Sequence, residues 1–194
     1  MNVFRSRRKK ALNVVITPLR PSEVASLRRL FLHALETDFH YFPYEYRHLI
    51  ARQNRHRHLL TAYLRKERVI YLAKQSQQLV GYVIAGMLPD GRGYIYWLYV
   101  DPTARGDKIG VKLVEQAKET LRKLGATEID LVTYNFDKYY KKLGFEYSGT
   151  QEIHGVTLHE MTYNYHDHAP EQKTSDASRP KDGKRKGARQ KRAS

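Results

Sequence analysis

A β-forming run that leads through a short loop into an amphipathic helix occupies the middle of this 194-residue chain. The run Gly93–Val100 is rich in aromatic and β-branched residues, which favour strands. The loop that follows contains Gly106, and a stripe of apolar residues predicts a helix over 109–124 that ends at Gly125. A strand and a helix of this kind bury their apolar sides against each other. The unit therefore restricts the chain to folds in which helices pack on a sheet.

The patterns on either side of this unit predict further strands and helices. Before it we predict, in chain order, a strand over 14–19, helices over 21–36 and 45–66, and a hairpin of strands over 69–73 and 79–85. After it we predict a strand over 127–133, a short helix over 137–143, and a final hairpin over 146–150 and 156–163. The predicted fold is an α/β domain with a mixed sheet and helices on both faces.

The positive charge of the chain lies mainly at its two ends. The net charge is +15, but residues 1–10 hold five basic residues and residues 173–194 hold nine, so that 11–172 carries only +3. The last segment has no apolar residue larger than Ala, and we expect it to be disordered. We divide the chain into a basic extension over 1–12, one domain over 13–165 and a basic tail over 166–194.

Composition excludes several classes of site. The chain has no cysteine, which rules out disulfides, thiolate nucleophiles and sulfur-based zinc sites. His56 and His58 are two residues apart and do not share a helical face, so we expect no metal site. No apolar run approaches the roughly 20 residues that a membrane helix needs, and the first residues lack the apolar segment of a signal peptide. We expect a soluble, cytoplasmic protein without a membrane partner.

The segment from Arg105 to Gly110 has features of a phosphate-binding loop. The first N–H groups of a helix lack intrahelical partners and carry partial positive charge, which suits an anion. Gly106 and Gly110 allow close approach of the backbone to a pyrophosphate, and Arg105 and Lys108 add positive charge. The same residues also fit an ordinary strand–turn–helix connection with solvated charges. These residues alone leave both interpretations open.

The segment Leu98–Gly110 resembles motif A of the GNAT superfamily of acetyl-CoA-dependent N-acetyltransferases. The loop of that motif reads Arg/Gln-x-x-Gly-x-Gly/Ala. Arg105 takes its first position and Gly110 its last, whereas Lys108 stands where the family has its central glycine. A lysine at that position costs free energy if the backbone there requires a positive φ.

A second segment, Asn135–Phe145, resembles motif B of the same family, which ends Tyr-x-x-x-Gly-Phe. Tyr140 stands four residues before Gly144, which is the spacing of the family's usual general acid. Asn135 precedes Tyr140 by five residues, where the family usually has about seven. The resemblance covers roughly residues 13–165.

The resemblance implies a GNAT-like fold, with a mixed, mostly antiparallel central sheet and a V-shaped splay between its fourth and fifth strands. It implies acetyl-CoA as co-substrate and transfer of the acetyl group to a primary amine, of a protein or a small molecule, by direct attack in a ternary complex. The residues that it implies as cofactor contacts are Leu98, Tyr99, Val100, Arg105, Gly106, Asp107, Lys108, Ile109, Gly110 and Asn135.

The resemblance also implies how the reaction is assisted. A backbone N–H near Leu98 is expected to stabilise the negative charge that develops on the carbonyl oxygen. Tyr140 is expected to protonate the leaving thiolate, because a tyrosine pKa of about 10 lies above the value of about 8.5 for a thiol.

Several questions stay open at this stage. The chain has fifteen tyrosines, so Tyr140 also fits a core-edge or surface role, with Tyr139 as its nearest competitor. The aromatic connector over 38–44 fits an acceptor slot as well as it fits core packing. The basic tail suggests contact with RNA or ribosomes. A rival hypothesis makes the protein a non-catalytic RNA-binding protein on a degenerate acetyltransferase scaffold. The acceptor amine, the general base and the choice between monomer and homodimer are not readable.

Overall fold

The computed structural model describes residues 13–65 and 67–168, so the extension over 1–12 and nearly all of the basic tail lie outside the described residues. Seven strands form one sheet in the order β1-β2-β3-β4-β5-β7-β6. The strands are β1 Val14–Pro18, β2 Val69–Gln75, β3 Gln78–Met87, β4 Gly93–Val100, β5 Glu128–Thr133, β6 Glu146–Ile153 and β7 Val156–Asn164. Neighbouring strands are antiparallel except for β4 and β5. The predicted mixed, mostly antiparallel sheet is confirmed.

Helices cover both faces of the sheet and form two separate cores. The helices are α1 Val24–Thr37, α2 Tyr44–Gln53, α3 His56–Leu64, α4 Ile109–Lys123 and α5 Asp137–Lys141. Helices α1 to α3 pack on one face, where Phe31 meets Tyr82 and Ile84 of β3. Helices α4 and α5 pack on the other, where Leu113 meets Val83 of β3. Strand β3 is therefore buried on both faces, which fits its continuous apolar run.

The helix predicted over 45–66 is wrong as a single element, because it consists of α2 and α3. Asn54 ends α2: its side-chain amide donates to the Ile50 carbonyl at 3.0 Å, and its backbone leaves the helical region at φ −101° and ψ 39°. Arg55 is extended, with φ −67° and ψ 156°. Asparagine competes in this way with the helical hydrogen bonds of its own neighbours, which lowers its helix propensity.

Strands β4 and β5 pair over three residues only and then separate. Gly93–Ile95 pairs in parallel with Ile129–Leu131, and no further pair joins the two strands. At the same place the register of β4 with β3 shifts, because Ala85 pairs with Ile95 and Ile84 with Trp97. An extra residue of this kind is a β-bulge, which bends its strand. The predicted V-shaped splay between the fourth and fifth strands is confirmed, and it begins at a bulge.

The bulge also changes which side chains face the α1 side of the sheet. Strict alternation along β4 would place Tyr96 and Trp97 on opposite faces. Instead both pack with the α1–α3 core, while Ile95 and Leu98 pack with the α4 core. The rings of Tyr94 and Tyr96 lie 4.9 Å apart between centroids. The consecutive residues Tyr96 and Trp97 therefore lie on the same face of the sheet.

A prediction tests how closely β3 holds the free half of β4. A Cβ placed on Gly81 would lie 2.8 Å from the carbonyl oxygen of Tyr99, which is a backbone atom that cannot rotate away. We expect Gly81→Ala to lower the free energy of unfolding, measured in urea, by about 1–3 kcal/mol. In the control Gly149→Ala, the new Cβ meets only the flexible carboxylate of Glu160, also at 2.8 Å. Equal losses in the two variants would contradict a rigid β3–β4 contact.

Candidate active site

A cleft of about 620 Å³ occupies the gap between the separated halves of β4 and β5. The loop after β4 and the first turn of α4 form one part of it. The connector between α1 and α2, the free half of β4 and the turn after β5 form the rest. The cleft therefore lies where two adjacent strands leave peptide groups without a strand partner.

Helix α4 begins without a side-chain cap. Its first N–H groups have no intrahelical partner and carry the positive end of the helix dipole. Lys108 precedes the helix in the left-handed region, at φ 56° and ψ 26°, and Gly106 has φ 106°. The positive φ that the family's central glycine would accept is thus adopted here by a lysine. For a non-glycine residue this conformation costs roughly 1 kcal/mol.

Gly110 allows α5 to approach the start of α4 closely. A Cβ at this position would lie 2.6 Å from the hydroxyl oxygen of Tyr139. That hydroxyl is buried and has no hydrogen-bond partner among the described residues. Burial raises the pKa of Tyr139 to about 12. Tyr139 therefore packs against the α4 backbone and stays protonated.

Arg105 holds two parts of the cleft together. Its Nε donates to the carbonyl oxygen of Val100 at 2.9 Å, and its guanidinium also forms an ion pair with the carboxylate of Asp38. Asp38 belongs to the connector between α1 and α2, on the other side of the cleft mouth. The charge of Arg105 is thus shared with a protein carboxylate, and Lys108 is the unpaired cation among the described residues that line the cleft.

The Tyr-x-x-x-Gly-Phe spacing has a local structural cause. The N–H of Phe145 donates to the carbonyl of Tyr140 at 3.1 Å, and the N–H of Gly144 donates to that of Lys141 at 3.0 Å. Gly144 takes a positive φ of 83°. This is the Schellman ending of a helix, in which a glycine follows the cap and an apolar residue packs back on the helix. The rings of Phe145 and Tyr140 accordingly lie 5.6 Å apart.

Tyr140 is 8% exposed, lines the cleft and packs edge-on against Tyr139, with 5.1 Å between ring centroids. Burial raises its pKa well above the ordinary tyrosine value. Of the two adjacent tyrosines, the hydroxyl of Tyr139 is fully buried against α4. Tyr140 thus lies at the cleft, and its catalytic role stays a proposal.

The structure brings together most of the residues that the motifs predicted. Those that line the cleft are Leu98, Tyr99, Val100, Arg105, Gly106, Lys108, Ile109 and Gly110. Asp107 and Asn135 are exposed and do not line it. Asn135 lies in the turn between β5 and α5, outside the cleft lining. The cofactor contacts expected from Asp107 and Asn135 have no support in this geometry.

The aromatic connector spans the mouth of the gap. Asp38 binds Arg105 on the β4 side, and Tyr41 stacks on Tyr134 on the β5 side, with 4.3 Å between ring centroids and an interplanar angle of 13°. Phe39 packs edge-on against Trp97 at 5.3 Å. The sequence left open whether the connector lines a slot or packs on the core. In the structure it does both.

Sequence reasoning did not identify several aromatic residues of the cleft. These are Tyr46, Tyr94, Tyr96, Trp97, Tyr134 and Phe136. The aromatic content of β4 was visible, but the face on which each ring lies depends on the bulge. Tyr134 and Phe136 directly follow β5, and only the separation of the strands places them at the gap.

A mixed sheet that splits between β4 and β5, with the uncapped start of α4 and the tyrosine-bearing helix α5 beside the split, indicates an acyltransferase. Residues 28–145 match the acetyltransferase (GNAT) family, and the chain belongs to this family. Acetyl transfer with acetyl-CoA as co-substrate follows from that membership.

Solved structures share the fold. The PaiA N-acetyltransferase of Thermoplasma acidophilum, solved with coenzyme A, has a TM-score of 0.68 and 20% identity, and the match covers 79% of this chain and 100% of that one. A GNAT acetyltransferase from Staphylococcus aureus Mu50 has a TM-score of 0.65 at 19% identity, covering 78% and 99% of the two chains. The ribosomal-protein-alanine N-acetyltransferase of Brucella melitensis has a TM-score of 0.59 at 20% identity, covering 77% and 99%. At these identities the likeness concerns the fold.

Among curated protein sequences, no significant match was found. Within residues 13–65 and 67–168, no helix has the length and apolar character needed to cross a membrane.

The left-handed lysine gives a second prediction. Lys108→Gly should relieve the backbone strain and raise the free energy of unfolding by about 1 kcal/mol. It should also weaken coenzyme A binding modestly, because one cation near the start of α4 is removed. Urea unfolding and calorimetric binding measure the two effects. The control Lys112→Ala removes a charge within α4, so an equal gain in stability there would contradict an origin in the positive φ.

Proposed function

We propose that the protein transfers the acetyl group of acetyl-CoA to a primary amine, by direct attack within the cleft between β4 and β5. The observation that carries this proposal is that the uncapped start of α4 and the side chain of Tyr140 face one cleft, at the point where the sheet splits. The family supports acetyl transfer, and the residues around the cleft support the roles below.

The residues present fit coenzyme A at one part of the cleft. The start of α4 offers unpartnered N–H groups and Lys108 to a diphosphate, and Gly106 leaves open space beside them. The sequence also expected Gly110 to leave room there, but the space beside Gly110 is filled by the hydroxyl of Tyr139. The half of β4 beyond Ile95 offers peptide groups without a β5 partner to the amide-containing pantetheine arm. The carbonyl of Val100 already accepts a hydrogen bond from Arg105. We therefore assign the contact with the pantetheine arm mainly to the backbone near Leu98.

When bound, acetyl-CoA supplies an activated thioester. Tyr140 is placed to give a proton to the leaving sulfur, and its burial favours the protonated form. The raised pKa keeps the hydroxyl protonated through neutral pH, so we expect no loss of this acid below about pH 10. A backbone N–H near Leu98 would stabilise negative charge on the carbonyl oxygen.

The described residues that line the cleft supply no free general base. Asp38 is the carboxylate among them and is paired with Arg105, and no histidine lines the cleft. We therefore propose that the amine loses its proton to water. The rate should then rise with pH towards the pKa of the amine itself.

Other parts of the proposal rest on the sequence. The basic tail over 166–194 would contact RNA or ribosomes, and deletion of 171–194 should then weaken association with RNA at low salt. A cytoplasmic location and a monomer or homodimer complete this proposal.

The test measures release of free coenzyme A with an amine panel. Tyr140→Phe should lower kcat by about 10²–10⁴-fold while the Kd for acetyl-CoA changes little, because only the transferable proton is lost. Tyr139→Phe makes the same chemical change one residue away, and we expect it to retain kcat.

The reverse pattern would move the acid role to Tyr139. Full turnover in both variants would show that neither tyrosine acts as the general acid. If acetyl-CoA does not bind, or raises the melting temperature no more than adenosine bisphosphate does, the rival scaffold hypothesis is correct instead.

A further inference from the structure

The part of the cleft that lies beyond the α4 loop is rich in aromatic rings, which stand beside several aliphatic side chains. Nine of them line it, namely Phe39, Tyr41, Phe42, Tyr46, Tyr94, Tyr96, Trp97, Tyr134 and Phe136. They come from the connector, α2, β4 and the turn after β5. Rings from four separate elements meet here because β4 bulges and β5 diverges. We call this aromatic part of the cleft the chamber; its walls are mostly apolar and carry the hydroxyl groups of five tyrosines.

Charged side chains are absent from this aromatic part among the described lining residues. The charged residues of the cleft are Asp38, Arg105 and Lys108. The first two form an ion pair, and Lys108 adjoins the start of α4. An ammonium group buried without a partner costs several kcal/mol, so a polycationic acceptor such as a polyamine or an aminoglycoside is poorly suited. A molecule with one amino group loses that charge when it becomes the nucleophile.

Contacts between distant elements hold the walls of the chamber in place. Tyr41 stacks on Tyr134, and Tyr46 stacks on His154 of the β6–β7 turn, with 4.1 Å between ring centroids. The ion pair between Asp38 and Arg105 joins the α1–α2 connector to the loop after β4. These contacts fix the positions of the wall rings, and fixed flat walls suit a small molecule that packs between them.

Building on the proposed acetyl transfer, we infer that the acceptor is a small arylalkylamine, with a single primary amino group on a flat apolar body. The aromatic walls bury that body, which is favourable at about 25 cal/mol per Å² of apolar surface. Ring-on-ring contacts add to this and orient the molecule. The amino group is then the part that points towards the thioester.

The test compares kcat/KM across five acceptors by release of free coenzyme A. The acceptors are 2-phenylethylamine, tryptamine, spermidine, kanamycin and a short peptide that begins with alanine. We expect the two arylalkylamines to exceed the other three by about tenfold or more. Preference for spermidine, kanamycin or the peptide, with acetyl-CoA bound normally, would overturn this inference and leave the acetyltransferase proposal standing. Failure to bind acetyl-CoA at all would overturn both.

A matched pair of variants locates the preference in the chamber. Tyr46 lines the cleft, whereas Tyr44 of the same helix is 69% exposed and does not. Tyr46→Ala should raise the KM for 2-phenylethylamine by about tenfold with an unchanged Kd for acetyl-CoA, since it removes a wall ring. Tyr44→Ala should leave both values unchanged. Equal effects of the two substitutions would contradict a role of the chamber.

A separate surface carries a second inference. A groove of about 440 Å³ between α1 and α3 is lined by Ala25, Arg28, Arg29, Arg55, His56 and Arg57. No acidic side chain lines it, and none of its four arginines forms a salt bridge within the described part of the chain. The near-neutral domain therefore concentrates unpaired positive charge in one place.

The chemistry of these side chains indicates the partner. Guanidinium groups bind phosphates through two parallel N–H donors. Clustered cations repel one another, and a bound anion compensates this repulsion. The groove has no large apolar side chain that would insert into a bilayer. We propose that it binds the sugar–phosphate backbone of a single-stranded nucleic acid, independently of the basic tail.

The full chain is titrated with an unstructured RNA of about 20 nucleotides, and with DNA of the same sequence, over a range of salt concentrations. The double variant Arg29→Gln/Arg57→Gln should lower the slope of log Kd against log salt by about 1.4, which is about 0.7 for each charge removed. The control Arg122→Gln/Lys123→Gln removes two exposed charges from the end of α4 and retains the same tail.

Equal slopes in the two double variants would show that diffuse charge alone acts, and would overturn the assignment of the groove. If Arg29→Gln/Arg57→Gln abolishes binding to anionic phospholipid vesicles and leaves RNA and DNA binding unchanged, the groove binds a membrane surface instead of a nucleic acid. Comparing RNA with DNA then identifies which nucleic acid the groove prefers.

Discussion

Strands β4 and β5 share hydrogen bonds over three residue pairs only, and the rest of the site depends on their separation. A bulge at the end of this pairing bends β4 away from β5 while β3 still holds it. Peptide groups that a sheet would normally pair are thereby left open inside the molecule, and unpaired buried peptide groups are costly. A ligand arm with its own amides can satisfy them, so the gap is suited to the pantetheine portion of coenzyme A.

The two sides of the gap are completed by different means. The start of α4 and Lys108 provide positive charge, and Gly110 lets Tyr139 pack against that helix, which sets the position of α5 and Tyr140. On the opposite side, the α1–α2 connector bridges the gap through one ion pair and one ring stack. The polar part of the cleft thus fits the diphosphate, and the aromatic part fits an apolar acceptor.

Much of this arrangement was predictable because its signals are local. The Schellman ending that sets Tyr140 four residues before Gly144 is encoded within six residues, as is the similar ending of α4 at Gly125, where Ala126 donates to Leu121 at 3.0 Å. The order of strands and helices followed from periodicity. The single long helix was wrong because one asparagine, Asn54, redirected the backbone between two otherwise helical patterns.

The sequence by itself determined most of the elements, the motif positions and the family, since these depend on residues close together along the chain. The tertiary structure decided on which face of the sheet the rings of β4 lie, because a one-residue bulge puts the consecutive residues Tyr96 and Trp97 on the same face. It also decided that Arg105 pairs with Asp38, 67 residues away, and that Asn135 lies outside the cleft. Contacts of this kind depend on how distant elements pack, and the periodicity of one segment carries no information about its distant partner.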